Sequence, residues 1–136
     1  MTAATAARNT RERSGDTRAA PIAAGVKCYA GTIAARDANG RLTKGATATT
    51  LRGVGVFVAD YDNTSGAAGA FNAEVRVGIF AFANSASGDA ITRADIGTDC
   101  YIVDDQTVAK THATNTRSIA GRVFDEDTDG VWVDFR

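Results

Sequence analysis

The most regular alternation of apolar and polar positions in the chain runs from Phe71 to Phe82. One parity of this run is apolar throughout, and the other begins with polar side chains and becomes apolar near its end. A period of two is typical of a β-strand with one buried face. The pattern therefore predicts one strand over residues 71–82, whose second face is covered at its end by another sheet, a loop or a neighbouring subunit. The first parity comprises Phe71, Ala73, Val75, Val77, Ile79 and Ala81, and the second includes Glu74, Arg76, Phe80 and Phe82.

Shorter apolar runs, separated by turn-forming residues, predict several more strands. Asp37-Ala38-Asn39-Gly40 and Asp104-Asp105 are turn signals, and the segment 60–69 is rich in turn residues. Residues 91–97 end in a glycine and are typical of a single helical turn. Strands at this spacing predict a mainly β fold, a small antiparallel β-barrel or sandwich. The predicted strands are 26–30, 41–43, 54–58, 99–103, 106–110, 118–124 and 131–135, with a charged turn at 125–130.

The composition favours strands over helices. The chain has 136 residues, enough for one domain, with 27 Ala, 17 Thr, 14 Gly, 11 Val and 7 Ile but only two Leu and one Met. β-Branched residues suit a pleated sheet, whereas a helix bundle needs Leu and Met to cover its apolar faces. No apolar run has the length of a membrane span, and no secretory leader is visible at the start. We therefore expect no membrane partner, and because the formal net charge is only -1, we expect no nucleic-acid partner either.

The first 20 residues differ from the rest of the chain. They contain no Val, Ile, Leu or aromatic residue, and they carry Arg8, Arg11, Arg13 and Arg18 against two acidic residues. Such a segment buries too little apolar surface to offset its ordering entropy. We therefore predict a flexible basic N-terminal arm over residues 1–20 and a β-rich domain over 21–136. An ordinary frayed terminus is one interpretation, and an arm that orders on the surface of a partner is the other.

Two pairs of similar segments suggest an internal duplication. The segment from Val26 to Tyr29 resembles Thr98 to Tyr101, with a cysteine at the third position of each. The segment 55–57 resembles 121–124 with a slip of one residue. Each half then consists of a strand, a turn, a strand, a Thr-rich loop and a strand. This hypothesis places Cys28 and Cys100 at equivalent positions.

Few residues carry the chemistry of a catalytic or metal site. We expect Cys28 and Cys100 to be buried and reduced, and a disulfide joining the two halves is the alternative. Residues 125–130 match the first half of an EF-hand loop, but Arg136 stands where a bidentate Glu is required, so a solvated turn is favoured over a weak Ca²⁺ site. His112 has no neighbouring nucleophile and acid. We therefore expect no enzyme activity, no cofactor and no metal ion.

The arrangement resembles the head decoration proteins of tailed bacteriophages, also called cement or capsid-stabilising proteins. The similarity is a pattern of small residues and short strands over about residues 21–135. The N-terminal arm and the loop 60–69 depart from the family pattern, which leaves the mode of capsid attachment open. The segments that carry the resemblance are Ala68-Gly69-Ala70-Phe71, Val75-Arg76-Val77-Gly78-Ile79-Phe80, Ile96-Gly97-Thr98-Asp99-Cys100-Tyr101 and Ile119-Ala120-Gly121-Arg122-Val123.

The resemblance implies a structural virion protein without catalysis. Such a protein is made in the cytoplasm of the bacterial host, binds the major capsid protein on the outer surface of the shell, commonly as a homotrimer, and links neighbouring capsomers. We expect the arginines of the arm to contact the capsid, and Phe80, Phe82 and Trp132 to pack between subunits. The alternative is a small β-sandwich that binds a carbohydrate or a host surface, for which Tyr29, Tyr61, Tyr101 or Trp132 would have to gather in one groove.

Overall fold

The computed structural model describes residues 2–13 and 15–136, and this part of the chain is mainly β. Its strands form two five-stranded sheets and one two-stranded sheet. Two short 3-10 turns, Ser87–Asp89 and Arg93–Asp95, are the helical elements of the described residues. The strands are β1 (Thr17–Pro21), β2 (Lys27–Cys28), β3 (Ile33–Arg36), β4 (Leu42–Lys44), β5 (Arg52–Phe57), β6 (Tyr61–Asp62), β7 (Asn72–Arg76), β8 (Ile79–Asn84), β9 (Asp99–Ile102), β10 (Thr107–Ala109), β11 (Ile119–Asp127) and β12 (Gly130–Asp134).

The second half of the chain forms a closed five-stranded barrel. Its strands follow the order β8-β12-β11-β9-β10, and each of these neighbouring pairs is antiparallel. A parallel pairing of β10 with β8 closes the barrel, with Val108 opposite Asn84. The main chain of Ser85 adds a hydrogen bond to the carbonyl of Val108 at 3.0 Å. The prediction of a small β-barrel is therefore confirmed, with a parallel pair at the closure.

The first half of the chain has the same strand order. Its sheet runs β1-β7-β5-β3-β4, with antiparallel neighbours throughout. A single parallel bridge between Ile22 and Leu42 joins the two edges of this sheet. The amide of Ala23 donates to the carbonyl of Leu42 at 2.8 Å, as Ser85 does to Val108 in the barrel. We call residues 17–76 the first repeat and residues 79–134 the second repeat.

The strand registers of the two repeats correspond residue by residue. In the first hairpin Arg36 lies opposite Leu42, and in the second Ile102 lies opposite Val108, so both residue numbers increase by 66. The same increment relates β5 to β11, because Ala34 faces Gly55 and Cys100 faces Gly121. For β7 and β12 the increment is 58, and for β1 and β8 it is 62, as the pairs Arg76–Thr17 and Asp134–Ile79 show.

The turns between equivalent strands also match in detail. The amides of Gly31 and Gly97 donate to the carbonyls of Phe57 and Val123, at 2.9 Å and 2.8 Å, and both glycines have left-handed φ angles of 79° and 94°. The following threonine, at position 32 or 98, donates its hydroxyl to the carbonyl three residues earlier at 2.7 Å in both repeats. The repeated sequence is therefore the Gly-Thr pair before β3 and β9.

This equivalence corrects the alignment of the cysteines. Cys28 lies in β2, which pairs only with β6 in a separate ribbon, whereas Cys100 lies in β9, whose counterpart is β3. The residue equivalent to Cys100 is Ala34. In the duplication predicted from residues 55–57 and 121–124, Gly55 and Gly121 have the increment found in the sheets, whereas the match of Phe57 with Phe124 is displaced by one residue. The alignment predicted from the cysteines is displaced by six residues.

The long strand predicted over residues 71–82 is two strands that belong to different repeats. β7 buries Ala73 and Val75 in the first repeat, and β8 buries Phe82 in the second, so the buried parity changes between them. The chain passes from one repeat to the other at Gly78. The second face of the run becomes apolar at its end because that end is β8, which belongs to the barrel of the second repeat.

Three strands were not predicted from the sequence pattern, and the shortest is β6, which lies in the segment 60–69 predicted as a loop. β1 begins at Thr17, so the last residues of the predicted arm, Arg18 among them, belong to the first repeat and pair with β7. β3 contains Ile33, Ala34 and Ala35, all fully buried, because one side faces its own repeat and the other faces the second repeat. Alanine has a low strand propensity, and burial on both faces decides its conformation here.

The buried apolar residues form two hydrophobic cores, one for each repeat. The first core consists of residues from the first repeat, among them Phe57 and Val75. The second core contains the interior of the barrel and also Ile33, Ala35 and Val56 from the first repeat. The repeats are therefore joined by apolar packing through β3 and β5.

Close main-chain contacts reinforce this junction. A Cβ atom at Gly53 would lie 2.0 Å from the carbonyl oxygen of Ala120, so β5 approaches β11 where the first repeat has no side chain. The buried Ser118 hydroxyl donates to the carbonyl of Ala48 and accepts the amide of Leu51 at 3.1 Å. The amide of Ile33 donates to the carbonyl of Asp105 at 2.7 Å. Hydrogen bonds and apolar contacts thus hold the two repeats together.

Candidate partner-binding surface

The described part of the N-terminal arm lies outside both repeats. Residues 2–13 are exposed at every position and contain no strand. Arg8, Arg11 and Arg13 extend from this segment, and none of them forms an ion pair with another described residue. Arg18 differs from these three because it stands on β1, opposite Val75. The predicted contact residues therefore divide between a free segment and the surface of the first repeat.

Charge is distributed unevenly between the arm and the repeats. Residues 1–20 contain four Arg, one Glu and one Asp, and the remaining 116 residues contain 11 basic and 14 acidic residues. The net formal charge is therefore +2 in the first segment and -3 in the rest. A basic segment attached to an acidic body is suited to bind an acidic surface on another molecule.

The thiols of Cys28 and Cys100 are buried, and the pKa of each is raised. Both cysteines are free and have no exposed surface. Burial raises the pKa of the Cys28 thiol to about 11 and that of the Cys100 thiol to about 12. Because a thiolate is the nucleophile in cysteine chemistry, neither residue has the properties of a catalytic group. The expectation of buried, reduced cysteines agrees with this arrangement.

The acidic turn between β11 and β12 uses its carboxylates in its own structure. Asp125 accepts a hydrogen bond from Arg93 at 3.4 Å. The two oxygens of Asp127 accept the amide of Asp129 at 2.8 Å and the indole N–H of Trp132 at 3.0 Å. No group of three His, Cys, Asp or Glu side chains is placed to hold a metal ion among the described residues.

His112 begins a turn with an unusual backbone. The next three residues, Ala113, Thr114 and Asn115, have φ angles of 48°, 58° and 61°, in the left-handed region that non-glycine residues rarely adopt. The His112 Nδ1 atom accepts a hydrogen bond from the amide of Asn115 at 2.8 Å. The imidazole packs edge to face against the Tyr101 ring, with 5.7 Å between the two ring centres. The side chain therefore stabilises a turn, and no nucleophile accompanies it.

Asp89 connects this turn to the 3-10 turn before it. Its carboxylate accepts hydrogen bonds from the Thr111 hydroxyl at 2.6 Å and from the Arg117 guanidinium at 2.7 Å. Burial raises the pKa of the Asp89 carboxyl, but the hydrogen bonds from Thr111 and Arg117 outweigh this effect and hold the pKa below its ordinary value. The network fixes both ends of residues 111–117 against the barrel.

The aromatic residues predicted to pack between subunits have different environments. Phe82 is 6% exposed and contributes to the second core. Phe80 is partly buried beneath the Arg76 guanidinium, 5.8 Å from its ring centre. Trp132 is also partly buried and is fixed by its hydrogen bond to Asp127. An intersubunit contact through Phe80 and Trp132 stays a prediction, whereas the Phe82 ring already packs inside its own barrel.

The aromatic residues required for a carbohydrate-binding groove are not gathered. Tyr61 packs between Phe57 and Phe71, and its hydroxyl accepts a hydrogen bond from the amide of Glu74 at 3.0 Å. Tyr29 stacks under Lys27, and Tyr101 contacts His112. Of five surface grooves among the described residues, one is lined by Tyr101 and none by Tyr29, Tyr61 or Trp132.

Exposed apolar side chains instead follow equivalent residues of the two repeats. Val58 and Phe124 each follow a residue of the pair Phe57 and Val123, which the increment of 66 relates, and they are 36% and 53% exposed. Phe124 is the extra residue of a bulge, because Asp125 faces Trp132 as Val58 faces the equivalent Glu74. The Gly-Thr turn places Ala30 beside Val58 and Ile96, which is 39% exposed, beside Phe124. Sequence patterns missed this pair, because the similarity of segments 55–57 and 121–124 does not show its exposure.

A groove lies beside the apolar position of the first repeat. Its volume is about 380 Å³, and its lining includes Ala30, Val58, Arg76 and Phe80. In the second repeat the corresponding apolar residue, Phe124, stands at a bulge in β11, where the register with β12 shifts. A β-bulge redirects the side chain at its position. The first repeat is therefore concave at this position, and the second presents a large aromatic side chain.

None of the helical turns in residues 2–13 and 15–136 has the length and apolar character needed to cross a membrane. Comparison with known proteins found no matching family model, no matching curated protein and no matching solved structure.

Proposed function

We propose that this protein is a structural component of a tailed-bacteriophage virion that binds the outer surface of the capsid. The single observation that carries the proposal is the exposed basic segment 2–13, which lies outside the two joined β repeats, while residues 21–136 together have a net formal charge of -3. The sequence resemblance to head decoration proteins supplies the identity of the partner, the major capsid protein.

The physical properties of the chain support a role in reinforcement. The two repeats share apolar packing and main-chain hydrogen bonds. A mechanical load applied to one repeat is therefore transmitted to the other. Many weak contacts made by several copies of such a subunit can stabilise a shell, because linked contacts act at a high effective concentration. This role needs neither a cofactor nor a catalytic residue.

The arm supplies a contact that forms only on the shell. An exposed segment without strand structure loses conformational freedom when it binds, and charge-assisted hydrogen bonds from arginine offset that cost. Arg8, Arg11 and Arg13 are available for this contact because none of them forms an ion pair within the described chain.

The test is cosedimentation with cognate shells assembled without this protein. Deletion of residues 2–13 is expected to leave the fold intact, because β1 begins at Thr17 and the carbonyl of Asp16 accepts the amide of Val77 at 2.8 Å. We expect binding to weaken by at least about tenfold, since several charge-assisted contacts are lost. A variant with Arg8, Arg11 and Arg13 changed to Ala separates charge from length.

A matched control changes Arg41→Ala, which removes one partly buried loop arginine from the first repeat and leaves the arm intact. Its binding is expected to equal that of the unchanged protein. Equal binding of the deletion variant and the full chain would remove the arm from the proposal, and failure of the full chain to bind shells would reject the function itself.

A further inference from the structure

The exposed apolar residues of the two repeats form two surfaces that differ in shape. We define the groove surface as Ala30, Val58, Arg76 and Phe80, and the knob surface as Ile96 and Phe124. Both lie at the same place relative to their strands, because Gly31 and Gly97 donate to the carbonyls immediately before Val58 and Phe124. One chain thus carries one groove surface and one knob surface.

The charges at these surfaces are complementary. Arg76, at the rim of the groove, lies over the Phe80 ring and forms no ion pair within the described chain. Phe124 is followed directly by Asp125, Glu126 and Asp127. Asp125 already pairs with Arg93 at 3.4 Å, and Asp127 accepts hydrogen bonds from Asp129 and Trp132. This strand end still carries three carboxylates against one internal guanidinium, so a contact between the groove surface and the knob surface would bring the Arg76 guanidinium towards a net negative charge.

We propose that the Phe124 side chain of one copy of this chain docks into the groove beside Val58 of a second copy. The contact is head to tail, because it joins different surfaces of the two copies. The assembly then has a free knob at one end and a free groove at the other, so further copies extend it, as a ring where the rotation between copies closes and as an open chain where it does not. The proposal concerns the free protein and does not depend on binding to a shell.

The energetic argument is the burial of an exposed aromatic ring. Phe124 is 53% exposed in the single chain, and Ile96 beside it is 39% exposed. Aromatic side chains placed in apolar pockets are typical anchors of protein interfaces. The small side chains of Ala30 and Val58, at the positions where the second repeat has Ile96 and Phe124, leave the space that a ring requires.

The first experiment measures the mass of the assembly by sedimentation equilibrium. Phe124→Asp and Val58→Asp are each expected to weaken self-association by at least about tenfold, because each places a charge at the buried contact. Ile119→Asp is the matched control, since Ile119 is 44% exposed but lies in neither surface. Far-ultraviolet circular dichroism and thermal unfolding of each variant check that the fold is retained.

The second experiment mixes the two impaired variants. Phe124→Asp retains a functional groove and Val58→Asp retains a functional knob, so an equimolar mixture is expected to form a 1:1 heterodimer and nothing larger. If knob surfaces contacted knob surfaces, Val58→Asp alone would already self-associate, and if groove surfaces contacted groove surfaces, Phe124→Asp alone would do so. In neither case would mixing the two variants create a new complex.

The proposal is overturned if the unchanged protein is monomeric, if Phe124→Asp has the mass of the unchanged protein, or if the mixture yields no heterodimer. Loss of shell binding by Phe124→Asp, without a change in its assembly, would assign the knob surface to the shell and would also overturn the proposal. Shell binding that fails while assembly follows the expected pattern would reject the proposed function alone.

Discussion

Pro21 and Ala83 occupy the same position in the two repeats, and only Ala83 has an amide hydrogen to donate across the strands that close the barrel. The Ala83 amide donates to the carbonyl of Gln106 at 2.9 Å. At the other site the first repeat keeps a single bridge, Ile22 to Leu42. The absence of one donor therefore explains why the first sheet is less completely closed than the second.

The difference between Ala83 and Pro21 predicts that substitution changes the free energy of unfolding more at Ala83 than at Pro21. Ala83→Pro is expected to lower the free energy of unfolding by roughly 1–3 kcal/mol, because it removes a strand hydrogen bond and leaves the Gln106 carbonyl without its donor. Pro21→Ala is expected to change stability by less than about 1 kcal/mol, since the gained donor is offset by a more flexible unfolded chain. Urea unfolding measures both, and equal losses would contradict the assigned equivalence.

Two equivalent glycines predict a matched pair of severe substitutions. A Cβ atom at Gly55 would lie 1.9 Å from the carbonyl oxygen of Arg76, and one at Gly121 would lie 2.5 Å from that of Asp134. Gly55→Ala and Gly121→Ala are each expected to destabilise the protein by roughly 1–3 kcal/mol or more, with the larger effect at Gly55. Gly88→Ala is the control, because a Cβ atom there has no neighbour within 4 Å. A denaturant midpoint unchanged by either substitution would show that the strands separate easily at these positions.

The Asp89 network predicts a loss of stability in acid. Its hydrogen bonds from Thr111 and Arg117 lower the pKa of the Asp89 carboxyl in the folded protein. Such a group stabilises the fold above its ordinary pKa, near 3.9, and this contribution disappears as the pH falls through the lower folded value. Asp89→Asn is expected to lower stability at pH 7 by roughly 1–3 kcal/mol and to flatten this part of the acid dependence.

The measurement for Asp89 is urea unfolding across the range from pH 7 to pH 2. Asp129→Asn serves as the control, because the Asp129 carboxylate makes no hydrogen bond within the described chain. If the two substitutions had the same effect at every pH, the ion pair with Arg117 would contribute nothing.

The left-handed turn after His112 predicts an unusual benefit from glycine. Thr114 is β-branched and has a φ of 58°, a conformation that costs an L-residue about 1 kcal/mol and costs glycine little. Thr114→Gly is therefore expected to leave stability unchanged or to raise it by up to about 1 kcal/mol. Thr116→Gly is expected to be destabilising, because the Thr116 hydroxyl donates to the carbonyl of Ala113 at 2.9 Å. Thermal unfolding compares the two, and the reverse order would contradict the turn geometry.

Much of the fold could be predicted from local patterns. The strands near residues 41–43, 54–58, 99–103 and 131–135 were expected and are present, because apolar alternation and turn residues act over a few positions. The resulting class, a small mainly β barrel, is confirmed. The alanine-rich β3 was not expected, since its conformation depends on burial between two repeats that are distant in sequence.

Less of the candidate surface could be predicted. The arginines of residues 2–13 were identified from composition, and their exposure agrees with that reading. The knob and groove surfaces required the tertiary structure, because the similarity of segments 55–57 and 121–124 shows neither the exposure of Val58 and Phe124 nor the groove beside Val58. Phe82 was expected at a subunit contact because the run 71–82 looked like one strand, and the change of repeat at Gly78 turns this ring into the core.

The sequence by itself determined the fold class, the basic arm and the absence of any recognisable catalytic motif, because these depend on composition and on patterns of a few residues. Only the tertiary structure decided that the chain is two equivalent repeats, with Ala34 rather than Cys28 as the counterpart of Cys100. The physical reason is that equivalence in a β fold is defined by hydrogen-bonded register between distant strands. Such register tolerates almost any side chain and requires small residues only where main chains meet, as at Gly55 and Gly121.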